Sequence, residues 1–148
     1  MDKNGPIIII EERAEDQNLF TQIFEEIGLE NELLYFNAFI DAQEYLIFKD
    51  IKPFIFFSNI VNFNHDKKDN DVDYKTIFQQ FNSPCLFFSI LFSNCFVIDV
   101  FSCPTKSYFV NPYSEEKFKQ VLSTIVDYWK NEKKLKIQTK KKKLKQNL

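Results

Sequence analysis

Short runs of uninterrupted apolar residues alternate along the chain with stretches in which apolar residues recur every three or four positions. The clearest runs are residues 7–10, all isoleucine, and residues 54–57, which follow Pro53. Apolar side chains at every position are typical of a strand buried on both faces, as in the middle of a parallel sheet. Proline is tolerated at the first residue of a strand, so Pro53 fits the start of this one. Weaker runs predict further strands at residues 32–36, 85–88 and 107–110.

The stretches between these runs have the spacing of amphipathic helices. In the first of them, apolar residues recur at i, i+3, i+4 and i+7, namely at Phe20, Ile23, Phe24 and Ile27. Gly28 follows at the position where glycine commonly ends a helix. Similar spacing predicts helices at about residues 39–48, 74–81, 92–101 and 114–129, the last of them capped by Ser114. Five strands alternating with five helices predict a doubly wound, five-stranded parallel sheet between helices, which is a three-layer α/β sandwich.

The length of 148 residues suits one domain, and the charge distribution sets off the end of the chain from it. Residues 130–148 contain nine lysines and one glutamate, a formal charge of about +8, whereas the whole chain has a net charge of −2. We therefore predict a domain at residues 1–130 and a lysine-rich extension at 131–148. A basic extension on an acidic body indicates an anionic partner, and the alternative is a solvated helix end.

Composition excludes several classes of protein. Two glycines are too few for a glycine-rich phosphate loop, and the three cysteines have no metal-ligand spacing. Free, buried thiols are expected in a reducing compartment. No apolar run approaches the roughly 20 residues of a membrane span, and the first run is too short for a signal peptide. These observations predict a soluble, cytoplasmic protein.

Polar residues follow four of the five predicted strands. They are Glu11 and Glu12, Ser58 and Asn59, Ser89, and Asn111 followed by Pro112. In an open parallel sheet, ligands bind outside the carboxyl ends of the strands. These side chains are therefore the candidate site.

The element order and these strand ends resemble the receiver domain of two-component response regulators, the CheY-like family, over roughly residues 5–130. The resemblance rests on the acidic pair after the first strand, the end of the third strand, and residues 84–89 and 108–112. It implies phosphoryl transfer to an aspartate after the third strand, near a magnesium ion that this aspartate and the acidic pair hold. It further implies that a serine or threonine and a lysine contact the phosphoryl group, and that the peptide bond before Pro112 is cis.

The sequence differs from the family at the positions that carry out phosphoryl transfer and hold the magnesium ion. Asn59 stands at the phosphoacceptor position, and an amide cannot act as a carboxylate nucleophile. Asn111 stands at the lysine position, and Glu12 replaces the usual aspartate, which leaves Glu11 and Glu12 as a degenerate magnesium site. The resemblance thus implies a pseudo-receiver that is not an enzyme and needs no cofactor.

In the family, the serine or threonine after the fourth strand and the aromatic residue on the fifth strand act as a switch, which implies that role for Ser89 and Tyr108. The implied partner is a histidine kinase, a phosphotransfer protein or a downstream effector. It would bind the face of the fourth helix, fifth strand and fifth helix. Two alternatives remain open: a weakly active phosphorelay receiver with a relaxed magnesium site, and binding of nucleic acid or another anionic partner by the lysine tail. The sequence does not identify the partner, the pathway or the oligomeric state.

Overall fold

The computed structural model describes residues 1–60, 74–91, 94–102 and 104–146, with side chains up to residue 131. These ranges contain six strands and four helices. The strands are β1 (Ile7–Ile10), β2 (Leu33–Phe36), β3 (Ile55–Asn59), β4 (Cys85–Leu91), β5 (Asn94–Asp99) and β6 (Lys106–Val110). The helices are α1 (Ala14–Ile27), α2 (Phe39–Lys49), α3 (Tyr74–Phe81) and α4 (Glu115–Gln146).

The strands form one mixed sheet in the order β2-β1-β3-β4-β5-β6. β1 pairs in parallel with β2 and with β3, and β3 pairs in parallel with β4. β5 is antiparallel to both of its neighbours, β4 and β6. The α/β class agrees with the prediction, and helices pack on both faces of the sheet as in a three-layer sandwich. The predicted five-stranded, wholly parallel sheet is wrong.

The error lies at residues 92–101, where we expected a helix and the structure has β5. Within β5 the side chains of Cys95, Val97 and Asp99 are buried, whereas those between them are half-exposed. This alternation has the period of a strand, and the stretch is rich in β-branched and aromatic residues that favour strands. The predicted helix was based on the spacing of Phe96, Val97, Val100 and Phe101. In the structure the first two of these residues lie in β5, and the last two lie in the turn that follows it. Residues 92 and 93 lie outside the described part of the chain.

The ends of two helices agree with the prediction. Gly28 has a left-handed backbone (φ 82°), and its N–H donates to the last turn of α1. Ser114 caps α4 by accepting a hydrogen bond from the backbone N–H of Lys117 at 3.1 Å. α4 continues to Gln146, so a single helix crosses the boundary predicted at residue 130.

Apolar cores lie on both faces of the sheet, and the alternation of side chains along β1 shows which face is which. Ile7 and Ile9 face α1 and α4, where Phe20 lies within 6.0 Å of four other phenylalanine rings. Ile8 and Ile10 face α2 and α3. The same alternation directs Glu11 and Asn59 toward α1. None of the helices in the described ranges has the length and apolar character needed to cross a membrane.

Candidate functional site

A cavity of about 190 Å³ lies at the carboxyl ends of β1, β3 and β4. It contains four of the residues that the sequence predicted for the site and adds four others. The lining residues are Glu11, Glu12, Arg13, Asp16, Asn59, Ser89, Ile90 and Leu91. Glu11, Glu12, Asn59 and Ser89 therefore all border this cavity, where three parallel strands lead to one edge of the sheet.

The carboxylate of Glu11 is the centre of the cavity's hydrogen bonding. Glu11 is 2% exposed, and its Oε2 accepts a hydrogen bond of 2.6 Å from Nδ2 of Asn59. Its Oε1 accepts one of 3.0 Å from the backbone N–H of Arg13. The opposite orientation of the Asn59 amide would place two acceptor oxygens 2.6 Å apart, so the amide must present its N–H group. Both oxygens of this buried carboxylate thus have donors from the protein itself.

Asp16 is a site residue that the sequence analysis missed. It lies in the first turn of α1, is 8% exposed, and lines the cavity beside Glu11. Its pKa is raised from 3.8 to about 6, first by burial and then by the charge of Glu11 and a hydrogen bond with it. An acidic residue in the first turn of a helix that directly follows a strand end was the available signal, because that turn packs back over the strand end.

The cavity does not fit the magnesium site that the resemblance implied. In the described part of the chain, no three histidine, cysteine, aspartate or glutamate side chains are grouped to hold a metal ion. Asn59 instead donates an N–H group to Glu11. Glu12 is exposed and lines the cavity. Glu11 and Asp16 form a carboxyl pair, in which Glu11 accepts hydrogen bonds from Asn59 and from the backbone of Arg13.

Asn111 and Tyr108 lie outside this cavity because β5 separates them from it. Along the sheet, Ser89 on β4 is paired with Phe96 on β5, which is paired with Phe109 on β6. Two strand spacings, roughly 10 Å, therefore separate β6 from β4. Asn111 therefore does not line the cavity with the other strand ends, since the expectation of one shared site assumed that β6 lies next to β4. The peptide bond between Asn111 and Pro112 is cis, in agreement with the prediction.

The two predicted switch residues also have different environments. Ser89 is 5% exposed and is directed toward the α2 and α3 side of the sheet, opposite to Glu11 and Asn59. Tyr108 is half-buried and packs against the core on the α1 and α4 side. Burial and the nearby charge of Asp99 raise the pKa of Tyr108. The two side chains are therefore on opposite faces of the sheet, with a strand between them.

None of the family models, curated proteins or solved structures compared with the chain matches it.

Proposed function

We propose that this chain is a receiver-like signalling module that acts in the cytoplasm through protein–protein contacts, without phosphorylation and without enzymatic activity. The support from the fold is the parallel order β2-β1-β3-β4, with acidic side chains at the carboxyl end of β1 beside the end of β3. The observation that carries the proposal is the 2.6 Å hydrogen bond from Nδ2 of Asn59 to Oε2 of Glu11.

This hydrogen bond supports the proposal for two chemical reasons. An amide has no carboxylate oxygen to attack a phosphoryl group, so Asn59 cannot be the acceptor. The amide also supplies Glu11 with a donor, which a site built for Mg²⁺ would leave to the ion. Phosphoryl transfer depends mainly on positioning and on neutralising the charge of the phosphoryl oxygens. With Asn111 two strands away from the cavity, neither the metal nor a cationic side chain at the family position would provide that charge.

The surface for a signalling partner differs from the one that the resemblance implied. The expected fourth helix is β5, so the corresponding face consists of β5, β6 and the exposed side of α4. A kinase, phosphotransfer protein or effector would contact strands where a typical receiver offers a helix. Binding of an anionic partner by the lysine-rich segment stays a prediction, because the side chains beyond residue 131 lie outside the described part of the chain.

The proposal is tested by titrating the protein with Mg²⁺ and beryllofluoride, a phosphoryl mimic, while amide chemical shifts are recorded. We expect no saturable change at Glu11, Asn59 or Ser89 in the wild type. Saturable shifts confined to these residues would overturn the proposal and favour a weakly active receiver with a relaxed metal site. A bona fide receiver domain, titrated in parallel, shows that the reagent is active.

A further inference from the structure

The outer edge of β6 is an open hydrogen-bonding surface. β6 is the last strand of the sheet, and within the described ranges no segment pairs with its outer side. The unpaired N–H and C=O groups of an edge strand are a template for another extended strand. Natural edge strands are commonly protected by charges, prolines or bulges. The sequence of β6, KSYFV, has one charge and no proline.

An exposed aromatic surface adjoins this edge. Phe109 is 71% exposed, and its ring lies 6.1 Å from that of Phe96, its partner across β5 and β6. Both rings are on the α2 and α3 side of the sheet, opposite to the residues of β5 and β6 that face α1 and α4. Leu91, at the end of β4 on the same side, is 50% exposed. Large apolar side chains beside an open strand edge are typical of a protein interface.

We propose that β6 pairs in antiparallel fashion with β6 of a second copy of this chain, about a two-fold axis perpendicular to the sheet. The result is one continuous sheet of twelve strands. This inference rests on the proposed use of this face for protein contacts and names the partner.

The sequence of β6 is complementary to itself in this arrangement. A two-fold axis at Tyr108 pairs all five residues and places Ser107 opposite Phe109 of the second copy. The two Phe109 rings then become diagonal neighbours on one face, at a separation that aromatic side chains can span. Lys106 lies opposite Val110 of the second copy, so no like charges face each other.

Charge complementarity favours the same pairing. The ammonium group of Lys106 lies 4.2 Å from the centre of the Tyr128 ring, on the α4 side of the sheet. Antiparallel pairing brings this end of β6 toward the start of α4 in the second copy, where Glu115 and Glu116 are exposed in the first turn. The second copy thus presents carboxylates on the side where Lys106 lies, and the contact is made twice by symmetry.

The opposite edge of the sheet is less suited to such pairing. All four residues of β2 are half-buried, and the Tyr35 hydroxyl donates to the backbone oxygen of Gln17 at 3.0 Å. β2 therefore offers no exposed aromatic surface beside its edge. At about 150–250 Å² per aromatic side chain, the two phenylalanines of each copy would bury at most roughly 1,000 Å² in the dimer. This area is below the roughly 1,200 Å² at which stable interfaces begin. We expect a reversible dimer that dissociates on dilution.

Sedimentation equilibrium over the micromolar to millimolar range tests the dimer. We expect self-association that Phe109→Lys weakens at least about tenfold, because it puts a charge at the centre of the interface. The matched control is Phe48→Lys, since Phe48 is 84% exposed but lies on α2. It should leave the dissociation constant unchanged. Thermal unfolding of both variants confirms that the fold is retained.

Hydrogen exchange separates strand pairing from contact between side chains alone. We expect the outward-facing amides of β6 to exchange more slowly as the protein concentration rises, and those of β2 to be unaffected. A monomer at all concentrations, a dimer sensitive to Phe48→Lys instead of Phe109→Lys, or β6 exchange independent of concentration would each overturn the inference. The response to beryllofluoride is read out in the cavity and does not depend on association, so failure of the dimer and failure of the proposed function are distinguishable.

Discussion

Two buried carboxyl sites of this protein have opposite hydrogen-bonding environments. Asp99 is 1% exposed and accepts hydrogen bonds from Nε1 of Trp129 at 2.7 Å, from the hydroxyl and N–H of Ser102, and from the N–H of Phe101. Asp16 shares its cavity with the carboxylate of Glu11, and its pKa is raised to about 6. Donors surround the first carboxylate, whereas the second lies beside another acid.

The difference indicates different roles. Asp99 joins the end of β5 to α4, thirty residues further along the chain, and fixes the turn that follows β5. Satisfied polar networks of this kind hold a structure in one arrangement. The carboxyl groups of Asp16 and Glu11 lie together in a cavity at the carboxyl ends of β1, β3 and β4, where the charge of Glu11 helps to raise the pKa of Asp16. Carboxyl groups with raised pKa values concentrate at functional sites. Three substitutions test this comparison.

Removal of Asp99 should have the largest effect. We expect Asp99→Ala to lower the free energy of unfolding by about 3 kcal/mol, because it leaves the Trp129 N–H and two backbone N–H groups buried without their acceptor. Urea unfolding monitored by Trp129 fluorescence measures the change. Glu44→Ala, at an exposed position of α2, is the control and should change stability by less than about 0.5 kcal/mol. A loss equal to that of the control would show that Asp99 does not hold β5 to α4.

A fourth carboxylate in the cavity should have the next largest effect. Asn59→Asp removes the donor to Glu11 and adds a like charge, so we expect a loss of about 2 kcal/mol in stability at neutral pH. Mg²⁺ should restore part of this loss, because the cavity would then be lined by four acidic side chains. Isothermal calorimetry and thermal unfolding with and without Mg²⁺ measure both effects. Asn111→Asp makes the same change of charge outside the cavity, and a response to Mg²⁺ equal to that of Asn59→Asp would contradict the assignment.

Neutralising Asp16 should have the smallest effect, visible as a change in pH dependence. The pKa of Asp16 is about 6 in the folded protein against an ordinary 3.8, so between these pH values the folded state binds more protons than the unfolded state. The contribution of Asp16 to stability therefore falls as the pH rises through this window. Asp16→Asn should flatten that slope and be more stable above pH 6 by about 1 kcal/mol, a figure reduced because solvent reaches the cavity.

Urea unfolding at a series of pH values from 4 to 7.5 checks this expectation. Glu25→Gln, at an exposed position of α1 away from the cavity, is the matched control and should retain the slope of the wild type. If Asp16→Asn also retained that slope, another group would be responsible for it.

The parallel part of the sheet could be predicted from the sequence because its strands are apolar on both faces. The four isoleucines of residues 7–10 and the run at 54–57 leave no polar face for a surface helix or an exposed strand. Because β1 and β3 are parallel neighbours, their carboxyl ends lie side by side. Glu11 and Asn59, which lie at these ends, are therefore close enough to form a hydrogen bond. These are consequences of local pattern and of one rule of sheet topology.

The other end of the sheet could not be predicted from the same pattern. The apolar residues between 94 and 101 fit both helical and strand spacing, and tertiary pairing with β4 and β6 decides between them. The positions of Asn111 and Tyr108 depend on whether this segment is a helix or a strand. Because β5 was predicted as a helix, both residues were expected one strand closer to β4 than they are. Asp16 was missed because its one signal in the sequence, an acidic residue in the first turn of α1, is also typical of exposed helix starts, and its burial beside Glu11 arises from packing of α1 over the strand end.

The parallel strands β1 to β4 and the antiparallel strands β4 to β6 also differ in the length of chain that must close before their strands can pair during folding. β4 pairs with β5 and β5 pairs with β6, in each case the next strand along the chain, so these contacts close short loops. β1 must pair with β3 across an intervening strand and two helices, which costs more loop-closure entropy before any contact forms. We expect the antiparallel end to assemble as a local unit, with the parallel strands adding to it more slowly. β6 would then present its unpaired edge before the rest of the domain is complete, which makes the kinetics of folding sensitive to protein concentration.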